Sequence, residues 1–447
     1  MLGPSRPPQR RPGARPVPDV RTGVHGGAFG LALLALLALP AGVRGQPAGA
    51  ATPAGAPAGD APRQTESDAY TRYELLAPGS GRFRILYDVT ATTPGARAYF
   101  NPIRRGSIAT DERVTDLATG RPLPFAVVDG RVARAGGVAG ADSTGQYISA
   151  TLARPVPADG GEARIRIDKT YEDARSYRVD GGELVFERSL GIRRNAVVLP
   201  PGYELAACNQ PSQVLQEPDG RVMVSFWNAS PGEVPLVLRA RRVEGAPGVG
   251  AVARSSVPAA RLAERAAQTR EIVYLLQQPE THSFDLYHDY TETRPGTSTY
   301  LNVVRAGSTV SRPSARNLDT GEPLAHEVVR GTEAIRRAGL DVAEATAETE
   351  VVVFRFPAVQ PGASIRLRMS ETYTDSARYR LVGDELVWDR AFGRPANAVV
   401  LPAGWMLTNS AIPAAVTTQP DGRVRLDFVN PRPDEIQVLV TARRRGR

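Results

Sequence analysis

Cysteine is nearly absent: Cys208 stands alone. An internal disulfide is therefore excluded, and stability must come from packing. A nucleophilic Cys208 would need a base beside it in the fold, and a structural thiol is the expectation. Histidine is scarce, with His25 near the start and His282, His288 and His326 in the second half. Residues 70–242 thus hold no histidine for a Ser–His–Asp set, and no Gly-x-Ser-x-Gly elbow occurs. No Gly-x-Gly-x-x-Gly or phosphate-loop pattern opens a helix after a strand. Lysine is scarcer still, since Lys169 is the only one among 55 Lys and Arg.

The net charge of +8 suggests nucleic acid until it is located. The first 45 residues hold six Arg and one Asp, and the last five residues hold four Arg. What lies between is close to neutral. No strand carries a dense basic stripe with stacking aromatics, so no nucleic-acid partner is expected.

What the chain does have is a stretch written twice. Asn195-Ala-Val-Val-Leu-Pro200 returns as Asn397-Ala-Val-Val-Leu-Pro402, and Pro218-Asp219-Gly220 as Pro420-Asp421-Gly422. Pro-Asp-Gly is a turn signal, in which proline sets φ, aspartate bonds its own backbone and glycine takes a positive φ. Val222, Val224 and Phe226 alternate with polar neighbours after the first turn, as Val424, Leu426 and Phe428 do after the second. Period-2 alternation marks half-buried strands.

The match extends upstream. Tyr171, Tyr177, Glu183 and Arg188 return as Tyr373, Tyr379, Glu385 and Arg390. Tyr99 and Asn101 return as Tyr300 and Asn302, one position closer. The slip falls in the Gly/Ala-rich stretch 131–147, whose counterpart 332–350 is rich in Ala and Glu and is read as partly helical. A length change of this kind belongs in a surface loop.

These observations predict an all-β protein with two tandem homologous β-sandwich-type domains, duplicated at an offset of about 201 residues, with little helix. Residues 1–45 read as a signal peptide: a basic start, the apolar run Ala28 to Leu39, and small residues at the exit. That run is shorter than the ~20 residues of a membrane span, and a retained anchor is the alternative. Residues 46–69 are an Ala/Pro/Gly tether. The first repeat spans 70–242 and the second 270–447, the latter ending in a basic tail. The linker 243–269 is expected to contain a short helix over 258–268, with proline in its first turn.

Candidate chemistry is weak. His326-Glu327-Val328-Val329-Arg330 resembles a zinc-peptidase start, but Arg330 stands at the second ligand position and the segment reads as strand. His282 and His288, near Asp285 and Asp289, sit six apart along a strand, roughly 20 Å and too far for shared ligation. The repeated carboxylates Asp173/Asp375, Glu183/Glu385 and Glu187/Asp389 could serve a glycosidase. Yet Glu183 and Glu187 lie in the solvent phase of their strand, and Asp173 and Asp375 precede Arg/Tyr-rich segments that suit ion pairs. The recurring aromatics Tyr99/Tyr300, Tyr171/Tyr373, Tyr177/Tyr379, Phe186/Trp388 and Tyr203/Trp405 are read mainly as core, with Trp227 as a surface candidate. The recurring Asn101/Asn302, Asn195/Asn397 and Asn228/Asn430 are read as turn-satisfying groups.

No catalytic residue, cofactor site or metal site is therefore assigned. The expected function is an exported, non-enzymatic module that binds a protein partner or polymer at the cell envelope. Two copies would allow two-point attachment. A secreted hydrolase of glycans or peptides, using His288 or Asp375 between the repeats, is one alternative. A structural spacer or assembly subunit is the other.

Overall fold

A computed structural model describes residues 62–230, 232–243, 263–343 and 345–446. The expected signal peptide, most of the tether and most of the linker lie outside the described residues.

In the first half, seven strands form one sheet. Their order is Gln213–Gln216, Val222–Trp227, Arg194–Val198, Glu66–Leu75, Arg82–Ala91, Ala163–Glu172 and Ile108–Asp116. Only the Glu66–Leu75 and Arg194–Val198 pair is parallel. A four-stranded sheet, in the order Tyr203–Cys208, Val234–Arg242, Glu183–Leu190 and Tyr177–Asp180, packs against it. The core between them is aromatic, with Phe186 at 5.4 Å from both Tyr73 and Phe83, ring centre to ring centre. A separate three-stranded sheet comprises Ala98–Pro102, Gln146–Thr151 and Phe125–Asp129.

The second half follows the same order with one difference. Ala315 pairs with Leu324 and Arg316 with Pro323, which welds the three-stranded piece onto the seven strands as one ten-stranded sheet. The first half has only a single bridge there, Thr115 to Pro122. The facing four-stranded sheet is Tyr379–Val382, Glu385–Phe392, Ile436–Arg444 and Trp405–Ser410.

The Pro-Asp-Gly turns form as expected. Gly220 and Gly422 have φ of 87° and 80°, and the Asp219 and Asp421 carboxylates accept from the Arg221 and Arg423 amides. Their hairpins place Phe226 opposite Asn195 and Phe428 opposite Asn397, with both rings buried. Both length-variable segments contain a short helix, Gly130–Ala135 and Thr332–Arg337.

Two boundaries differ from expectation. The first strand starts at Glu66, so the tether ends before 69. The helix expected over 258–268 lies partly outside the described residues, and its described end from 263 makes a turn. Tertiary contacts override helical propensity here, because neighbouring side chains are held by opposite halves. Glu264 accepts from Tyr70 and Ser225, while Arg265 donates to the Asn430 and Gly393 carbonyls.

The halves also meet directly. Glu162 N donates to Leu318 O at 2.8 Å, and the equivalent Ser364 N donates to Ala118 O at 3.2 Å. The backbone contact recurs with its acceptor one position further along, and the side-chain contacts do not recur. Arg164 grips Asp319 through two hydrogen bonds of 2.7 and 2.8 Å, both groups being buried. Ala118 occupies the position equivalent to Asp319, and Arg366 instead pairs with Asp68 at 3.1 Å.

Candidate functional site

Each sandwich opens into a cleft between its two main sheets, and the two clefts are lined from matching positions. In the first half the cavity is about 400 Å³, walled by Tyr73, Tyr87, Tyr99, Asn101, Lys169, Tyr171 and Arg188 among others. In the second it is about 280 Å³, walled by Tyr274, His288, Asn302, Tyr373 and Arg390 among others. Arg104 and Glu233 at the first mouth are answered by Arg305 and Glu435 at the second.

The back wall comes from strand periodicity. In Ala163–Glu172 the inward phase carries Ile165, Ile167, Lys169 and Tyr171, all buried. In Glu183–Leu190 the inward phase carries Leu184, Phe186 and Arg188. A buried guanidinium needs a partner, and the Asp173 carboxylate supplies it at 3.2 Å. Aromatic faces enclose the rest, with Arg188 5.5 Å from the Tyr171 ring centre and 5.6 Å from that of Phe83. Burial works against ionised Asp173, but hydrogen bonds from Ser176 and Ser107 and the Arg188 charge hold its pKa below the usual carboxylate range. The second half repeats the arrangement. Asp375 meets Arg390 at 3.1 Å and Arg378 at 3.0 Å, and its pKa is lowered in the same way against burial.

The group held by the shared asparagine differs. Lys169 donates to Asn101 Oδ1 at 2.5 Å and sits 4.9 Å from the Tyr171 ring centre. Its counterpart Glu371 accepts from Asn302 Nδ2 at 2.6 Å, and Asn302 also donates to Tyr373 Oη at 3.1 Å. One slot, with an asparagine partner in each half, thus holds opposite charges. Burial, with the nearby Arg188 charge, pushes the Lys169 amine down to about 7. Burial, aided by Glu350, pushes the Glu371 carboxyl up to about 7 against the Asn302 and Tyr373 hydrogen bonds.

The remaining wall also differs. In the first half Tyr99 donates to Glu66, and Tyr87 Oη lies 3.2 Å from Tyr99 Oη. Burial and the adjoining Tyr87 and Glu66 raise the Tyr99 pKa well above normal. In the second half His288 replaces Tyr87, with its Nε2 3.3 Å from Met369 Sδ. Burial first, then Arg394 and Arg270, pushes the His288 pKa down to about 3, so the ring is neutral at pH 7.

The other candidates resolve as follows. His282 is not on the strand with His288; it occupies the turn before it, at φ 54°, where the first half has Gly81 at φ 65°. No group of three or more His, Cys, Asp or Glu among the described residues could hold a metal. His326 and Glu327 lie on the strand Pro323–Arg330, which denies the zinc-peptidase motif its helix. Glu187 is exposed, Glu183, Glu385 and Asp389 are half-buried, and Glu187 pairs with Arg178. Tyr99, Tyr171, Tyr177, Phe186, Tyr373, Tyr379, Trp388 and Trp405 are buried, Tyr203 and Tyr300 are only half-buried, and Trp227 is half-buried beneath Arg193.

Cys208 is half-buried, with its Sγ 3.5 Å from Gln210 O and Ser212 Oγ. Asn195, Asn228, Asn397 and Asn430 donate to backbone carbonyls, as turn-satisfying groups do. Asn101 and Asn302 depart from that reading, since they hold the central charged groups. Sequence reasoning missed Lys169, Arg188 and Arg390 as cleft groups. Their inward strand phase was the available signal.

No helix among the described residues is long and apolar enough to cross a membrane. No family model matches the chain. No curated protein matches it in sequence. Among solved structures, the collagen adhesin (CNA) from S. aureus aligns at 8% identity over 74% of this chain and 88% of that one, with a TM-score of 0.14. A superposition so slight bears on neither fold nor function.

Proposed function

We propose that the protein is an exported, non-enzymatic β-sandwich module that binds a protein partner or a polymer at the cell envelope through its two clefts. One observation carries this. The clefts share a frame of Tyr, Arg and Asn, yet the group held by the shared asparagine is Lys169 on the wall of the first cleft and Glu371, bonded to the Asn302 that lines the second. A duplicated catalytic set would need the same reacting groups in both halves. Binding needs only the frame, and a second copy of it gives one ligand a second point of attachment. The hydrolase candidates have other employment, because Asp375 is committed to Arg390 and Arg378, and His288 packs against Met369. The N-terminal apolar run supports export, and the two sequence repeats support the two-domain division at 70–242 and 270–447.

The test is titration of purified envelope polymers and exported proteins onto the chain, with Tyr171→Ala and Tyr373→Ala variants. Each single variant should weaken binding, and the double variant should abolish it. Undiminished binding by the double variant, or catalytic turnover by the purified protein, would refute the proposal.

A further inference from the structure

The chain meets nearly every need for a cation with arginine, and Lys169 is the one exception. The exception sits on the wall of the larger cleft, with 4% of its surface exposed. Arginine and lysine are not equivalent there. A guanidinium stays charged and holds no free electron pair at neutral pH, whereas an ammonium that loses its proton becomes a nucleophile. Among the described residues no carboxylate is within ion-pairing distance of Nζ. Its polar contact is the neutral Asn101 amide. The fold does not demand an amine at this point either, because the same slot in the second half holds Glu371 on the equivalent asparagine.

We propose that Lys169 is a covalent capture site, forming a reversible imine with a small aldehyde or ketone admitted by the first cleft. The Nζ electron pair attacks the carbonyl carbon, and the C–O π pair moves to oxygen, which takes a proton. The resulting carbinolamine loses water as C=N forms and nitrogen releases its remaining proton. Water reverses the sequence, and neither an oxidant nor a reductant is consumed. This goes beyond the binding role proposed above and stands whether or not a polymer or protein occupies the clefts. The groups acting on the amine are Arg188, which favours its neutral form, and Glu112, which opposes it, with Asn101 and the Tyr171 ring in contact.

The experiment uses propanal with cyanoborohydride on the purified full chain, read by intact mass and peptide mapping. A single lysine makes the result unambiguous, since the other amine is the chain terminus and maps separately. At pH 7 the native chain should gain a propyl group on Lys169 roughly tenfold faster, or more, than the urea-unfolded chain, because more of the amine is neutral. The rate should be half-maximal near pH 7, and Lys169→Arg should lose the adduct. Labelling no faster than in the unfolded chain, or a rate still climbing at pH 10, would overturn the proposal. The pH profile of the wild-type chain decides the matter even if Lys169→Arg does not fold.

Discussion

The two sandwiches differ least where buried charges are paired with each other and most where only one partner is needed. Arg188–Asp173 and Arg390–Asp375 are matched pairs, each enclosed by aromatic rings. Beside them, Lys169 and Glu371 occupy one slot with opposite charge. A buried ion pair binds two positions together, because removing either member strands the other. The asparagine amide imposes no such constraint, since it presents an acceptor to an ammonium and a donor to a carboxylate. A slot whose partner works both ways is where copies of one architecture can diverge.

The most direct way to break the comparison is to strand the matched arginines. Asp375→Ala and Asp173→Ala should each cost about 3–5 kcal/mol, measured by urea denaturation. Equal losses would show that the pairs are equivalent in energy as well as geometry. The next effect is at the contact between the halves. Arg164→Ala should cost about 3 kcal/mol by leaving buried Asp319 unpaired, and the double variant Arg164→Ala with Asp319→Ala should recover part of that loss. A double variant as unstable as the sum of both singles would show that the pair has no coupling.

The clefts should also respond to pH in opposite ways. Glu371 has its folded pKa raised to about 7 from an ordinary 4.5. Its ionisation penalty is absent below pH 4.5, grows as pH rises to 7 and stays at full size above that. Glu371→Gln should therefore match the parent at pH 4 and exceed it by roughly 2 kcal/mol at pH 8. Lys169 has its folded pKa lowered to about 7 from 10.5. Its penalty is full below pH 7 and fades as pH rises to 10.5, so the gain from Lys169→Met should be largest at pH 6 and shrink in alkali. Stability curves that shift alike in both variants would erase the contrast. His288 adds a separate acid limb: held neutral in the fold, it opposes folding as pH falls from 6.5 towards 3.

The smallest effect tests the part of the repeat that is the same in both halves. Gly422→Ala meets no neighbouring atom, so only its positive φ is strained, and about 1 kcal/mol should be lost. Gly220→Ala should match it, and a much larger loss at Gly220 would show that its turn carries a contact the other lacks.

Much of this architecture was legible in the residues themselves. Alternation and Pro-Asp-Gly turns announce strands and hairpins because side-chain direction and turn dihedrals are local properties. The inward phase of Lys169, level with Ile165, Ile167 and Tyr171, was equally visible. What the phase could not say is that this inner surface opens into a cleft, or that Asn101 lies across it. His282 was misplaced because a non-glycine residue at positive φ gives little sign of itself, although its alignment with Gly81 was a hint. The turn from 263, at the end of the stretch read as helix, was not legible because its contacts to Tyr70, Ser225 and Asn430 come from segments distant along the chain.

The sequence by itself determined the strands, their facing residues, the turns and the two-fold repetition, since each follows from chemistry within a few neighbours. Only the tertiary structure decided which strand pairs with which, where the sheets part to form clefts, and which charges are buried. Those depend on groups brought together across 60 to 160 positions, as in Lys169 with Asn101 and Arg164 with Asp319. The pKa of a buried group is set by that company and not by its neighbours in sequence.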